Sequence, residues 1–590
     1  MTNPRLLPIL YGVGAVLSAV IVGPLFGGGY LLYRDAVSTP RSFVTDAALG
    51  IGPLAPRAVP QDWFVAVAGS VVGGGVVVLG ALAAAILFAA VGFGRLAFRL
   101  VPGGGRSGAV AAAVVTVWNP FVAERLLQGN WSLLVGYAAL GWIIVAVADV
   151  AMGRARGRWV GWAQVGGLLA VAGLTPTGSV MALVSAGVTA VSCAGIRRWR
   201  VLAGLGALWV CSALPWLMSA AIGGGSIASD GPAGVRAFSL RSEPLLGPLG
   251  TALGLGGIWN SDAVPTSRTI WWAAIATACL LVVIIIGSVW LWRSRSASPA
   301  PGLLRGLAGV AAAVVVVVAV TAAGPGQTAL GAVIDAVPGA GLVRDTHKFL
   351  ALAMPFVALA SAAAVVALRR YVPVGFALAA IALLVIAPLP DLAWGVGGRI
   401  TPVHYPDDWR KAAAMVPADR GAVALWPPGT VRRYSFADGP SLDPTARMVR
   451  APVIESGELQ VDGVVVDHAD HTAAQVNRVL RSGGNPRALS DLGVGWVLVE
   501  RGPETSVPAE LADLTPVVAG PDLMLFDIGG AVTPQASSMS RGWAWAAHVI
   551  WALLMVIGAL AAGTARLVKV VQRQASRRTR SISSHVVDHE

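Results

Sequence analysis

Charge is scarce in this chain. Only 12% of its 590 residues are Asp, Glu, Lys or Arg, about half the share in a typical soluble domain. With 56% hydrophobic residues and a mean hydropathy of +0.71, this points to an integral membrane protein. Cysteine is nearly absent too: Cys193, Cys211 and Cys279 lie in or beside apolar runs. No pair has metal-ligand or redox spacing, so they read as small buried hydrophobes. There is no Gly-x-x-x-x-Gly-Lys-Ser/Thr loop, no Gly-x-Ser-x-Gly elbow and no His-Glu-x-x-His pair, which argues against ATP-driven transport by this chain alone. The net charge of +13 is not gathered into a basic patch interleaved with aromatics, so nucleic acid is not an expected partner.

What is present is a series of apolar runs. Counting about 20 residues per span gives about twelve transmembrane helices. The first run follows a single basic residue, Arg5, and lacks a convincing cleavage site, so it reads as a retained span. If the N-terminus is cytoplasmic, alternate connections carry Arg95/Arg99/Arg106, Arg154/Arg156/Arg158, Arg197/Arg198/Arg200, Arg293/Arg295/Arg305 and Arg369/Arg370. All then fall on the cytoplasmic side, as does the tail with Arg566, Lys569 and Arg573. Both termini are therefore expected on the cytoplasmic side of the plasma membrane.

The remaining connections are expected outside, and they hold most of the sequence complexity. The expected division is a transmembrane domain over 1–390 with extracytoplasmic loops at 31–62, 119–131, 222–268 and 324–348, an extracytoplasmic α/β domain over 391–540, a last span over 541–570, and a basic, disordered cytoplasmic tail over 571–590. In 391–540, short β-like runs begin at Val423, Val464, Val494 and Leu523, and a helical patch covers Asp408 to Met415.

Three loops could carry chemistry. Asp35 follows the first span closely and could take a proton from an acceptor hydroxyl, with Arg34 and Arg57 near enough in sequence to meet an anion. The same residues could equally form an interfacial ion pair that shapes the loop. Asp46 and Asp62 are rival acids, and Asp46 looks more like a first-turn helix residue. In the second loop Asn119-Pro120 breaks a span, and Glu124, Arg125, Gln128 and Asn130 follow; on a short helix Glu124 and Gln128 share a face. Sugar or phosphate binding is one reading, a capped helical hairpin the other. The third is Arg344-Asp345-Thr346-His347-Lys348, where Arg344, His347 and Lys348 suit a lipid phosphate or, alternatively, interfacial anchoring. Asp467-His468-Ala469-Asp470-His471 looks like a metal site but has no further ligands nearby in sequence, so neither a metal nor another cofactor is expected.

The order of these features resembles the GT-C class of membrane glycosyltransferases, in particular mycobacterial-type (actinobacterial) envelope enzymes that use polyprenyl-phosphate sugars. The resemblance rests on Arg34-Asp35 after the first span, the polar loop 119–131, and residues 344–348 before a late span. It implies a GT-C-like polytopic helical fold and inverting transfer of arabinofuranose or mannose from a polyprenyl-phosphate donor to a cell-envelope glycan or glycolipid. Asp35 would be the general base, on the extracytoplasmic face. The alternatives are a lipid-linked glycan flippase or transporter, and an inactive GT-C-like scaffold for cell-wall assembly.

Overall fold

The computed structural model describes residues 5–587 apart from 53–57, 156, 224–230, 338, 462, 469, 483–485, 503–504, 530 and 534, with side chains as far as residue 564. Arg57 therefore lies outside the described residues. Among the described residues, ten helices are long and apolar enough to cross a membrane; an eleventh candidate is the pair Val374–Ile386 and Pro390–Gly398, bent by 77°. The remaining member of the expected twelve is Arg158–Ala172, whose 15 residues are short for a span. Pro388 and Pro390 account for the bend, since each lacks a backbone N–H.

The spans Gly105–Leu127 and Thr346–Leu368 are almost wholly buried, whereas Ser538–Thr564 is mostly exposed. Val16, Val76, Ile285 and Leu383 are exposed on outer surfaces, as lipid-facing side chains are in a membrane protein. The basic connectors meet at one end of the bundle. Arg99 pairs with Asp149 at 2.7 Å, Arg369 donates to the Gly103 carbonyl at 2.7 Å, and Ser298 donates to the Leu100 carbonyl at 2.9 Å.

Asn119 ends one buried helix and starts the next. Its amide nitrogen donates to the Val115 and Thr116 carbonyls at 3.0 Å each, while its oxygen caps the Val122 N–H at 3.0 Å. Pro120 then takes the first helical position, where an N–H is not needed. The short helix Pro120–Leu127 thus continues the span Gly105–Leu127 toward the polar end of the bundle, with Glu124 and Arg125 buried on it.

The C-terminal domain holds a five-stranded mixed sheet. Its order is Val518–Ala519, Leu523–Asp527, Val494–Glu500, Ala422–Trp426, Val453–Ile454; the first two pairings are antiparallel and the last two parallel. Period-2 alternation sends Val423, Leu425, Trp496, Leu498, Leu523 and Leu525 to one face. Ala422, Ala424, Val497, Val499 and Phe526 go to the other, against helix His471–Ser482. The first face also buries Leu32 and Val37, so the hairpin after the first span is part of this domain's core. The last helix, Ser538–Val587, runs on through the basic stretch that composition marks as a disordered tail.

Candidate active site

Asp35 sits at the tip of a two-residue-stranded hairpin, Leu32–Tyr33 with Ala36–Val37. The preceding Arg34 has φ +50°, a left-handed conformation that costs a side-chain-bearing residue about 1–2 kcal/mol. Backbone bonds from the C-terminal domain hold it there. The Arg34 N–H donates to the Pro440 carbonyl at 2.7 Å, and the Leu442 N–H donates to the Arg34 carbonyl at 3.0 Å. From the other side, the Asp35 N–H donates to the Gln128 carbonyl at 3.2 Å. Gly129, at φ +79°, makes this approach possible: a Cβ there would lie 2.4 Å from the Ala36 nitrogen and 2.9 Å from that of Asp35.

The Asp35 carboxylate, partly buried, accepts from Asn130 Nδ2 at 2.7 Å and, more weakly, from Gln128 Nε2 at 3.4 Å. No cation among the described residues pairs with it directly. Burial raises its pKa above the ordinary carboxylate value, against the opposing pull of Lys348, the two amides and Arg125. Behind it, Arg125 is wholly buried and donates to Asn130 Oδ1 at 3.1 Å and Asp345 Oδ2 at 3.2 Å, and it bonds His347 Nδ1. Asp345 is the opposite kind of acid. Burial pushes it up, but Arg125 and Lys348 outweigh that and hold it at about 2. Two carboxylates near one guanidinium, Asp345 bonded to it and Asp35 linked to it through Asn130, thus have their affinities for a proton driven apart.

Glu124 is also committed to structure. It accepts the Gly257 and Ile258 N–H groups at 2.9 and 3.0 Å and lies 3.3 Å from His347 Nε2. This pins the segment 257–260 at the site, as does Asn260, which donates to Gln128 Oε1 at 2.9 Å. Arg344 grips Asp467 of the C-terminal domain with two bonds of 2.7 and 3.0 Å, so the Asp-His-Ala-Asp-His stretch supplies an interdomain anchor. Lys348 lies 3.5 Å from Asp345 and keeps part of its side chain exposed; Arg34 approaches Asp262 at 3.8 Å.

The rival acids are spoken for. Asp46 receives two bonds of 2.8 Å from Arg541 and one of 2.9 Å from the Ala536 N–H, which anchors the last helix. Asp62 is buried against Arg447 of the C-terminal domain at 3.3 Å. No group of three or more metal-ligating side chains occurs among the described residues.

The structure therefore brings Arg34, Asp35, Glu124, Arg125, Gln128, Asn130, His347 and Lys348 to one polar end of the bundle, and sets Asp46 and Asp62 apart as structural pairs. Sequence reasoning passed over Asp345 as a fixed counter-charge, Gly129 as the point of contact, and residues 440–442 as the clamp. A glycine beside two amides hints at the second; a clamp three residues long has no sequence periodicity to reveal it.

No family model matches the sequence, and no curated protein matches it either. Among solved structures, the arabinofuranosyltransferase AftD from Mycobacteria superposes on 90% of this chain with a TM-score of 0.54 at 16% identity. A point variant of AftD gives 0.51 at 15% identity, again over 90% of the chain. The chain spans about 40% of AftD's length. At this identity the likeness is one of fold alone: a polytopic helical membrane fold shared with that solved structure.

Proposed function

We propose that the chain is a membrane glycosyltransferase that transfers a sugar, arabinofuranose or mannose, from a polyprenyl-phosphate donor to a cell-envelope glycan or glycolipid. The observation that carries this reading is the state of Asp35. It is oriented by two amides, neutralised by no direct partner among the described residues and raised by burial, whereas Asp345, Asp46 and Asp62 are each bound to an arginine. A carboxylate so held is suited to act as general base.

In the proposed step, an acceptor hydroxyl gives its proton to Asp35 and its oxygen bonds the anomeric carbon. The bond from that carbon to the donor phosphate oxygen breaks, and the phosphate leaves with the electron pair. Attack opposite the leaving group inverts the anomeric centre. Arg125 and Lys348 stabilise negative charge near the reacting atoms, and Asn130 keeps the base aligned. No metal enters this scheme. The site faces the extracytoplasmic side in this reading, since the basic connectors gather at the opposite end.

The test is transfer by purified protein in nanodiscs, using polyprenyl-phosphate sugars with envelope glycan acceptors and reading the anomeric configuration of the product. An inverted product supports the proposal; transbilayer movement of a lipid-linked sugar without transfer would point to a flippase instead.

A further inference from the structure

Arg241 has no role in the scheme above, yet one edge of its guanidinium is sealed from solvent without a hydrogen-bond partner among the described residues. Both Nε and Nη2 are buried and bond nothing among the described residues. These two N–H groups form the side-on fork of an arginine, which fits a pair of oxygens on one carboxylate or phosphate. The same fold uses this fork nearby. Arg268 donates through Nε to Glu243 Oε1 at 2.9 Å and through Nη2 to Glu243 Oε2, and both residues are buried. Arg241 therefore lies in a loop already built around a guanidinium–carboxylate pair, and its own fork has no such partner among the described residues.

Its position ties it to the site. The Arg241 N–H donates to the Gly257 carbonyl at 3.0 Å, and the Gly257 N–H is held by Glu124. The charge of Arg241 acts on both His347 and Glu243. Other cations around the site have a carboxylate at one or more guanidinium nitrogens or at the ammonium: Asp345 serves Arg125 and Lys348, Glu243 serves Arg268, Asp467 serves Arg344, and Asp262 approaches Arg34. Arg34 and Arg125 each also keep a buried Nε without a partner among the described residues, but not a two-nitrogen fork. Burying donors of a charged group without partners is costly, and a bound oxyanion would satisfy them.

We infer that Arg241 is an oxyanion-binding residue of this site, its Nε–Nη2 fork taking two oxygens of a phosphate ester. The inference rests on the donor reading above and adds a residue to it: Arg241 distinguishes a phosphorylated polyprenol from the neutral alcohol.

Binding to full-length protein in nanodiscs tests this with three probes: a short-chain polyprenyl monophosphate, the matching polyprenol and inorganic phosphate. The wild type is expected to prefer the monophosphate over the alcohol. Arg241→Gln is expected to weaken monophosphate binding about tenfold or more, as loss of a charge-assisted pair implies, while alcohol binding stays as it is and thermal stability is kept or raised. Arg241→Lys, which keeps the charge but loses the fork, is expected to recover only part of the loss. Inorganic phosphate that competes in the wild type but not in Arg241→Gln also supports the site, and shows that it needs no lipid chain. A wild-type preference that survives in Arg241→Gln overturns the inference and leaves the donor reading standing. No preference in the wild type overturns both.

Discussion

At the scale of single residues, the acids divide by what holds them. Asp62 is closed into a buried pair with Arg447, so Asp62→Asn should lower stability by about 3–5 kcal/mol, the usual effect of breaking such a pair. Asp35 should behave in the opposite way. Its folded pKa is raised, so ionisation on going to neutral pH costs stability that is present in full below the unfolded value. Asp35→Asn removes that cost, and its Tm at pH 7 should match or exceed the wild type's while activity is lost. The same shift sets the acid limb of activity. A base works only when deprotonated, so activity should fall as pH drops through the raised pKa of Asp35. Asn130→Ala removes a 2.7 Å donor that favours the carboxylate, so the acid limb should move to higher pH. A pH–rate profile with an unmoved limb would separate Asn130 from the base. Asp35 could be singled out from sequence by its place after the first span. Its separation from Asp46 and Asp62 could not, because Arg541 and Arg447 lie hundreds of residues away.

At the scale of elements, the site is a meeting of loops held by backbone contacts. The hairpin carrying Asp35 is gripped by Gln128 on one side and by Pro440 and Leu442 on the other. Gly129→Ala is expected to reduce kcat by about a hundredfold, in line with small displacements at an active site. Its added Cβ would strike the backbone of Tyr33, Asp35 and Ala36, while the spans that carry the loops are untouched. Steady-state kinetics beside a thermal melt would distinguish this from unfolding; wild-type kcat would contradict the close approach. The longer elements are legible in the chain because their signals are local. Runs of about 20 apolar residues mark spans, and the alternation at Val423–Trp426 and Val494–Val499 marks strands that the structure extends by only a residue. The two-residue strands at Ser441–Leu442 and Val453–Ile454 are too short for alternation and depend on distant partners. Arg158–Ala172 shows the limit of hydropathy, which marks an apolar helix without fixing whether it crosses the bilayer.

At the scale of the molecule, the C-terminal domain and the bundle share a core. Leu32 and Val37 enter the domain's apolar face, Arg447 reaches Asp62, Asp467 reaches Arg344, and Arg541 returns to Asp46. The domain is thus built into the polar end of the bundle, and the basic connectors lie at the other end. With the basic end cytoplasmic, a cysteine placed at exposed Asp419 should react with an impermeant reagent added outside intact cells, and one at exposed Arg154 should not. The reverse pattern would put the site on the cytoplasmic face and contradict the proposed use of an extracytoplasmic donor. The most direct measurement of the central claim is sugar transfer from a polyprenyl-phosphate donor by wild type and Asp35→Asn, prepared side by side in nanodiscs. The account expects transfer by the wild type and none by an equally stable mutant. Transfer that persists in Asp35→Asn would contradict it.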